Sequence, residues 1–297
     1  MFIRRLPKFE YHAPTSVAEA LDQLSLHGEN ARVFAGGTDL FVSMKKREVV
    51  PDHLINLKEI DELKNTHYHD AEGLRIGALV TMGELERSKI VKEKLPILWD
   101  AVNVMATPQI RNLATIGGNL CSAIPSADTA PPLLALSAMV TIVGSAGERT
   151  MLVEEFFRGP GESVLAPDEI LQEILIPAPP VNSGGAYFKL MRRHAQDLAL
   201  VGVAASLRLD EDGQLCQEAR IALGAVAPTP VRALKAEAVL QGRNINDDLA
   251  TEAGRVASEE ARPITDIRAS AEYRREMVGV LTKRAIMTAL KRKDNKS

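Results

Sequence analysis

Cysteine is nearly absent from this chain: its 297 residues hold two, Cys121 and Cys216. A cysteine-ligated iron-sulfur cluster takes four thiolates, so the chain cannot supply one by itself. The two also stand too far apart in sequence for a CxxC metal site and too few for a disulfide framework, which leaves free thiols in a reducing compartment. Apolar stretches of any length are missing too. Hydrophobic residues make up 45% of the chain, yet no unbroken run nears the roughly 18 residues that cross a bilayer, so no membrane span is expected. Met1 to Arg5 lack the charged start, apolar stretch and small-residue cleavage site of a secretory signal, and a cytoplasmic protein is the expectation. Positive charge is not in excess. With a net charge of -3 and a pI of about 6.1 there is no basic field for a phosphate backbone, and no nucleic-acid partner is expected. No Ser-His-Asp order and no paired catalytic carboxylates emerge, so no catalytic residue is assigned.

What the chain does contain is alternating structure with a compositional break. Ser16 to Leu26 places Val17, Ala20, Leu21 and Leu24 at helical spacing, Ala31 to Ala35 reads as a buried strand, and His53 to Leu57 reads as another. Leu40 to Lys46 between them is short and amphipathic. From Leu74 to Ile176 apolar runs (Leu74 to Leu79, Met139 to Val143, Ile170 to Ile176) alternate with glycine-bearing turns and one helical stretch, Pro96 to Met105, the pattern of a mixed sheet. Pro177 to Gly185 holds three prolines and two glycines and reads as a linker. Beyond it, Ala186 to Met191, Ala199 to Leu209 and Ala219 to Val226 read as strands, and Thr229 to Leu240 and Ala271 to Leu290 as two closing helices.

Two glycine loops carry the chemistry. Ala35-Gly36-Gly37-Thr38-Asp39-Leu40 follows a buried strand, and Thr115-Ile116-Gly117-Gly118-Asn119 precedes Asp128. Glycine permits positive φ and lacks the Cβ that holds a ligand off, so consecutive amides can converge on an anion. A strand ending in Gly-Gly is equally a tight turn. Two such loops, each with a threonine hydroxyl, suggest one diphosphate gripped from both sides. Neither matches GxGxxG or carries a Walker lysine, so no Rossmann or P-loop site is indicated. Asp128 reads as a ligand or as a turn or helix cap. Lys189 reads as a functional cation or as a lysine snorkelling into water. Trp99 and Cys121 read as core, and His67 with His69 as a surface turn without a third metal ligand, so no metal site is assigned.

These motifs, with Glu169-Ile170-Leu171, Tyr187-Phe188-Lys189, Asp197 to Leu200, Gly224 to Arg232 and Arg268 to Arg275 in order after them, resemble the FAD-binding subunit of molybdenum hydroxylases of the xanthine dehydrogenase and carbon monoxide dehydrogenase type. The resemblance covers nearly the whole chain. It implies an α+β fold: a two-part FAD-binding domain of the vanillyl-alcohol-oxidase (PCMH-like) type over 1-177, with subdomains 1-58 and 59-177, then a C-terminal domain over 178-297 with a small antiparallel sheet and helices. It implies that Val33, Phe34, Ala35, Gly36, Gly37, Thr38, Asp39 and Leu40 wrap the FAD diphosphate and ribityl chain. Thr115, Gly117, Gly118 and Asn119 would close the other side, Asp128 would accept from cofactor hydroxyls, Met105 and Ala106 would give main-chain and apolar contacts, and Leu171 and Lys189 would face the isoalloxazine.

The implied partners are a molybdopterin-bearing large subunit and a small subunit with two [2Fe-2S] clusters, with NAD, a quinone or another carrier as electron acceptor. The chain lacks the cysteine-rich insertion of the 4-hydroxybenzoyl-CoA reductase branch. A stand-alone reductase of the same fold is the alternative, although no acid-base cluster for its substrate is present. A cofactor-free assembly module is the other. Intact glycine pairs argue against it, because a Cβ there would cost nothing if no phosphate had to approach.

Overall fold

The structure is a computed structural model that describes residues 5–193 and 196–294. Met1 to Arg4, His194, Ala195 and Asn295 to Ser297 lie outside the described residues. The chain opens with β1 (Glu10–His12), β2 (Ala31–Phe34) and β3 (His53–Asn56), which pair in parallel in the order β1-β3-β2. Parallel neighbours need crossovers, and α1 (Val17–His27) and α2 (Leu40–Lys46) supply them. Ser16 caps α1 by accepting from the Glu19 amide. Val17, Ala20 and Leu24 then bury one helical stripe against Ile55, while α2 brings Met44 against Leu54 on the opposite face. A sheet covered on both sides explains why adjacent Leu54 and Ile55 are both fully buried.

β4 (Thr66–His69) and β5 (Gly73–Gly77) begin a second sheet, which the chain leaves for a series of short helices: α3 (Met82–Arg87), α4 (Lys89–Lys94), α5 (Pro96–Asn103), α6 (Pro108–Arg111), α7 (Ile116–Cys121) and α8 (Ala130–Ala135). It returns in β6 (Met139–Gly144) and β7 (Gly147–Leu152), then a small hairpin of β8 (Phe157–Gly159) and β9 (Glu162–Ser163), then β10 (Glu169–Ile176). The order is β4-β5-β10-β6-β7 and every pairing is antiparallel. The mixed sheet expected from the sequence is corrected here. β5 and β6 run the same way, but β10 lies between them, so no parallel pair forms. Only one of the helices was read from the sequence. The others are six residues or fewer, too short to show a 3.6-residue period, and are marked only by caps such as Thr81, Ser88, Thr107 and Thr115. His67 and His69 stand on exposed strand β4, not in a turn.

β11 (Ser183–Leu190), β12 (Val201–Leu209), β13 (Cys216–Gly224) and β14 (Val231–Arg232) form an antiparallel sheet in sequence order, followed by α9 (Leu234–Leu240), α10 (Asp247–Glu260) and α11 (Ala271–Asp294). Strand alternation splits the two faces. Val201, Val203, Ala205 and Leu207 pack under α10 and α11, whereas Tyr187, Ala204 and Ala222 join the core beneath α5 and α8. Ser183, Gly184 and Gly185 thus belong to a strand and not to slack linker. A Cβ on Gly184 would stand 2.0 Å from the Ala289 carbonyl oxygen, so that glycine sets how closely α11 approaches. Residues 229–233 are not helical as expected, because Pro228 and Pro230 lead into edge strand β14. α10 escaped the sequence reading because its buried face is Leu249, Ala250, Ala253, Gly254 and Ala257, small residues with little hydrophobic contrast. No described helix is long and apolar enough to cross a membrane.

Candidate functional site

A cavity of about 810 Å³ opens where the chain leaves β2, bounded opposite by the loop into α7 and by the segment from Gln196 to Leu198. That volume falls in the roughly 300–1,000 Å³ range of small-molecule and cofactor clefts. Every position from Val33 to Leu40 borders it, as do Met105, Ala106, Thr115, Gly117, Gly118, Asn119, Asp128 and Leu171. Lys189 does not. Its side chain is buried, and its ammonium donates to Asp128 Oδ2 at 2.8 Å from behind the cavity wall.

The two glycine loops meet. A Cβ on Gly36 would stand 2.0 Å from the Leu113 carbonyl oxygen and 3.1 Å from Ala114 Cα, so the first loop lies directly on the approach to the second. Ser122 Oγ, one residue past α7, donates to Asp39 Oδ2 at 2.8 Å and ties them again. The second loop is pinned from beneath, where the Ile116 and Gly117 amides donate to the Val80 and Ala78 carbonyls, each at 3.0 Å.

Their chemistry differs, which corrects the expectation of two matching amide cradles. In the first loop the amides of Gly36, Gly37, Thr38 and Asp39 donate to no protein acceptor among the described residues, and Gly37 has φ +70. That is an open run of donors with no Cβ to block them. In the second, the Gly118 amide donates to Thr115 Oγ1 at 3.0 Å and the Asn119 amide to the Thr115 carbonyl at 3.0 Å, so these amides are spent on the α7 cap, where the threonine hydroxyl acts as acceptor. What this loop offers is a surface without side chains at Gly117 and Gly118, and the Asn119 carboxamide. Thr129 Oγ1 donates to Asn119 Oδ1 at 2.5 Å, which orients the Asn119 NH2 group and leaves it without a protein acceptor among the described residues.

The glycines also have structural reasons to be there. A Cβ on Gly36 would strike Leu113, one on Gly117 would come within 2.6 Å of Ala78 Cβ, and Gly37 is held at positive φ. Their retention therefore does not by itself exclude a cofactor-free module, contrary to the sequence argument. Unclaimed amides, not glycines alone, mark the binding surface.

Asp128 is the buried anion of the wall. Tyr187 donates its hydroxyl to Oδ1 at 2.9 Å and Lys189 its ammonium to Oδ2 at 2.8 Å, so neither oxygen caps a helix. Burial pushes the Asp128 carboxyl above its ordinary range, and the Lys189 ammonium and Tyr187 hydroxyl pull it back. Burial, then the neighbouring carboxylate, raises the Tyr187 phenol well above its usual value, so it remains a donor. Cys121 lines the cavity too, with its thiol pushed up to about 12 by burial, which keeps it protonated and unreactive. Trp99 donates Nε1 to the Glu86 carbonyl at 3.0 Å and packs on the core.

Several wall residues were not assigned from the sequence. Ile124, Leu165 and Ile170 add apolar surface, and Asp197 brings a carboxylate held below the usual range by the Arg192 and Arg193 amides. Asp197 and Leu198 stood inside a quoted motif, which was the only available signal. Ala106, Ala123 and Gln196 have φ of 47, 45 and 53. Such strained positions concentrate at functional sites, but no glycine or asparagine announces them here.

An open amide run, an adjacent carboxamide donor, apolar walls and a buried carboxylate fit a cofactor with a diphosphate, hydroxyls and a flat ring. Comparison with known proteins gives the same class. The sequence profile of the family described as the FAD binding domain in molybdopterin dehydrogenase matches residues 7–179, and that of the CO dehydrogenase flavoprotein C-terminal domain matches residues 186–289. The chain is 36% identical over 283 residues to the carbon monoxide dehydrogenase medium chain of Hydrogenophaga pseudoflava, covering 95% of this chain and 97% of that protein. It is 34% identical over 281 residues to a putative xanthine dehydrogenase FAD-binding subunit of Escherichia coli, covering 94% and 95%. A solved structure of the Hydrogenophaga enzyme superposes with a TM-score of 0.93 at 37% identity over 97% of this chain and 99% of that one. Quinoline 2-oxidoreductase of Pseudomonas putida superposes at 0.90 with 31% identity, over 97% and 98%.

The chain belongs to the family of FAD-binding medium subunits of molybdenum hydroxylases. It is an oxidoreductase subunit, and its cofactor is FAD.

Proposed function

We propose that this chain takes electrons from the [2Fe-2S] clusters of a small partner subunit and passes them through FAD to NAD, a quinone or another carrier. A molybdopterin-bearing large subunit oxidises the substrate. The supporting observation is a cofactor cavity bordered by a run of unclaimed amides, with no histidine among its described lining residues. The chain has two cysteines and cannot hold a four-thiolate cluster itself. The relatives' designation as medium chains agrees with larger and smaller partners. Two free thiols suit a cytoplasmic complex.

In this reading residues 1-177 are the FAD-binding half, with subdomains 1-58 and 59-177, and residues 178-297 are the C-terminal domain. The amides of Gly36 to Asp39 hold the diphosphate, and Thr38 adds its hydroxyl. Asn119 donates from the other side across the bare surface of Gly117 and Gly118. Asp128 accepts from cofactor hydroxyls, Met105, Ala106 and Leu171 complete the wall, and Lys189 acts through Asp128. FAD held there would supply a carrier able to accept electrons one at a time and give them up as a pair, which is what joins a one-electron cluster to a two-electron acceptor. The protein's part is to orient it and shield it from water.

The test is to mix the FAD-loaded chain with a pre-reduced small subunit under anaerobic conditions. Flavin absorbance is expected to bleach only when that partner is present. Turnover of an organic substrate by the FAD-loaded chain alone would instead support a stand-alone reductase.

A further inference from the structure

Away from the cofactor cavity, three of the chain's six histidines converge on one face of the first sheet. Parallel pairing sets Glu10 beside His53 and His12 beside Ile55, and strand alternation turns all four to the face that α1 covers. α1 ends in His27, which thereby comes down on the same spot. His12 Nε2 lies 3.1 Å from His53 Nδ1, and the His27 ring stacks on His53 with centroids 3.6 Å apart and planes 17° from parallel. One nitrogen from each ring falls within 4.8 Å of the other two. Glu10 Oε2 lies 3.5 Å from His53 Nδ1.

We propose that His12, His27 and His53 form a binding site for a divalent transition-metal ion of the zinc class, with Glu10 or water in the fourth position. Imidazole suits zinc, copper and nickel among divalent ions. Zinc–nitrogen bonds of roughly 2.0–2.1 Å place tetrahedral donors about 3.3 Å apart, close to the His12–His53 separation. His27 has to move inwards to complete the set. It is the last residue of α1, and its ring nitrogens hydrogen-bond to no protein group among the described residues, so a side-chain rotation breaks no hydrogen bond and gives up only the ring stack on His53. All three rings are partly exposed, so an ion has access from solvent. Because β1, α1 and β3 each give a ligand, the ion clips the first crossover onto its sheet. None of the three borders the cofactor cavity, so this goes beyond the proposed electron transfer. The sequence does not show the group, since its members come together only through parallel pairing and the length of α1.

The test uses the full chain with FAD bound, stripped of metal by chelation and dialysed against Zn²⁺ or Co²⁺. About one ion per chain is expected, and Co²⁺ should give the visible absorption of a tetrahedral nitrogen site. His12→Gln and His27→Gln should weaken Zn²⁺ binding at least roughly tenfold, while His69→Gln binds as the wild type does. Retained FAD and unchanged circular dichroism establish that each variant is folded. No stoichiometric uptake by the folded wild type overturns the proposal, whether or not a variant folds. Zn²⁺ binding by His27→Gln as tight as wild type overturns it as well.

Discussion

Asp128→Ala is expected to cost roughly 3–5 kcal/mol, the usual penalty for breaking a buried ion pair from one side, and to lower the melting temperature by on the order of 10 °C. The reason is what it leaves behind. The Lys189 side chain is 1% exposed and its ammonium would lose its carboxylate, and the Tyr187 hydroxyl would lose its acceptor in the same step. Lys189→Met should be milder, because burial already drives the Asp128 carboxyl towards its neutral form, which still serves Tyr187. Thermal melts of the two variants check that order, and a Lys189→Met protein less stable than Asp128→Ala contradicts it. The lysine variant also reports on the flavin. A lower midpoint potential with FAD retained is expected if the cation favours the reduced cofactor; an unchanged one assigns Lys189 to holding Asp128 and nothing more.

Gly36→Ala has the other large effect. The new Cβ would meet Leu113 backbone atoms at 2.0 and 2.6 Å, and backbone, unlike a side-chain tip, cannot swing aside. The two loops must part. Overpacking of this kind costs about 1–3 kcal/mol, and since each 1.4 kcal/mol is tenfold in affinity, strain of that size placed on the site should weaken FAD binding by roughly five- to a hundredfold. Gly147→Ala is the control. Gly147 also sits at positive φ, 112°, but nothing stands within 4 Å of its missing Cβ, so backbone strain is the only cost and FAD binding should be unchanged. FAD fluorescence titration of both variants decides it. Equal affinities would mean that the contact between the loops does not shape the site.

Much of this was legible in the sequence where the period was long or the residue type rare. α1, β2 and β3 show in their spacing, whereas β1 gives no signal and α2 is ambiguous in period; the glycine motifs with Asp128 and Leu171 lead to residues that border one cavity. Three things were not legible. Short helices such as α6 and α7 cannot show a period, and α10 hides behind alanines. Hydrogen-bond bookkeeping is invisible: the loops look alike as sequence, yet α7 uses up its own amides while the first loop leaves four unclaimed. Lys189 in a strand carries no sign that its ammonium turns onto Asp128 and away from the cavity.

The most direct test is the stoichiometry and location of bound FAD. The folded chain, supplied with excess FAD and freed of unbound cofactor, should retain about one FAD per molecule, and acetylation or substitution elsewhere on the surface should leave that ratio intact while Gly36→Ala lowers it. A chain that is folded by circular dichroism yet retains no flavin, alone or with its partner subunits, would contradict the assignment of the cavity between residues 33–40 and 115–119.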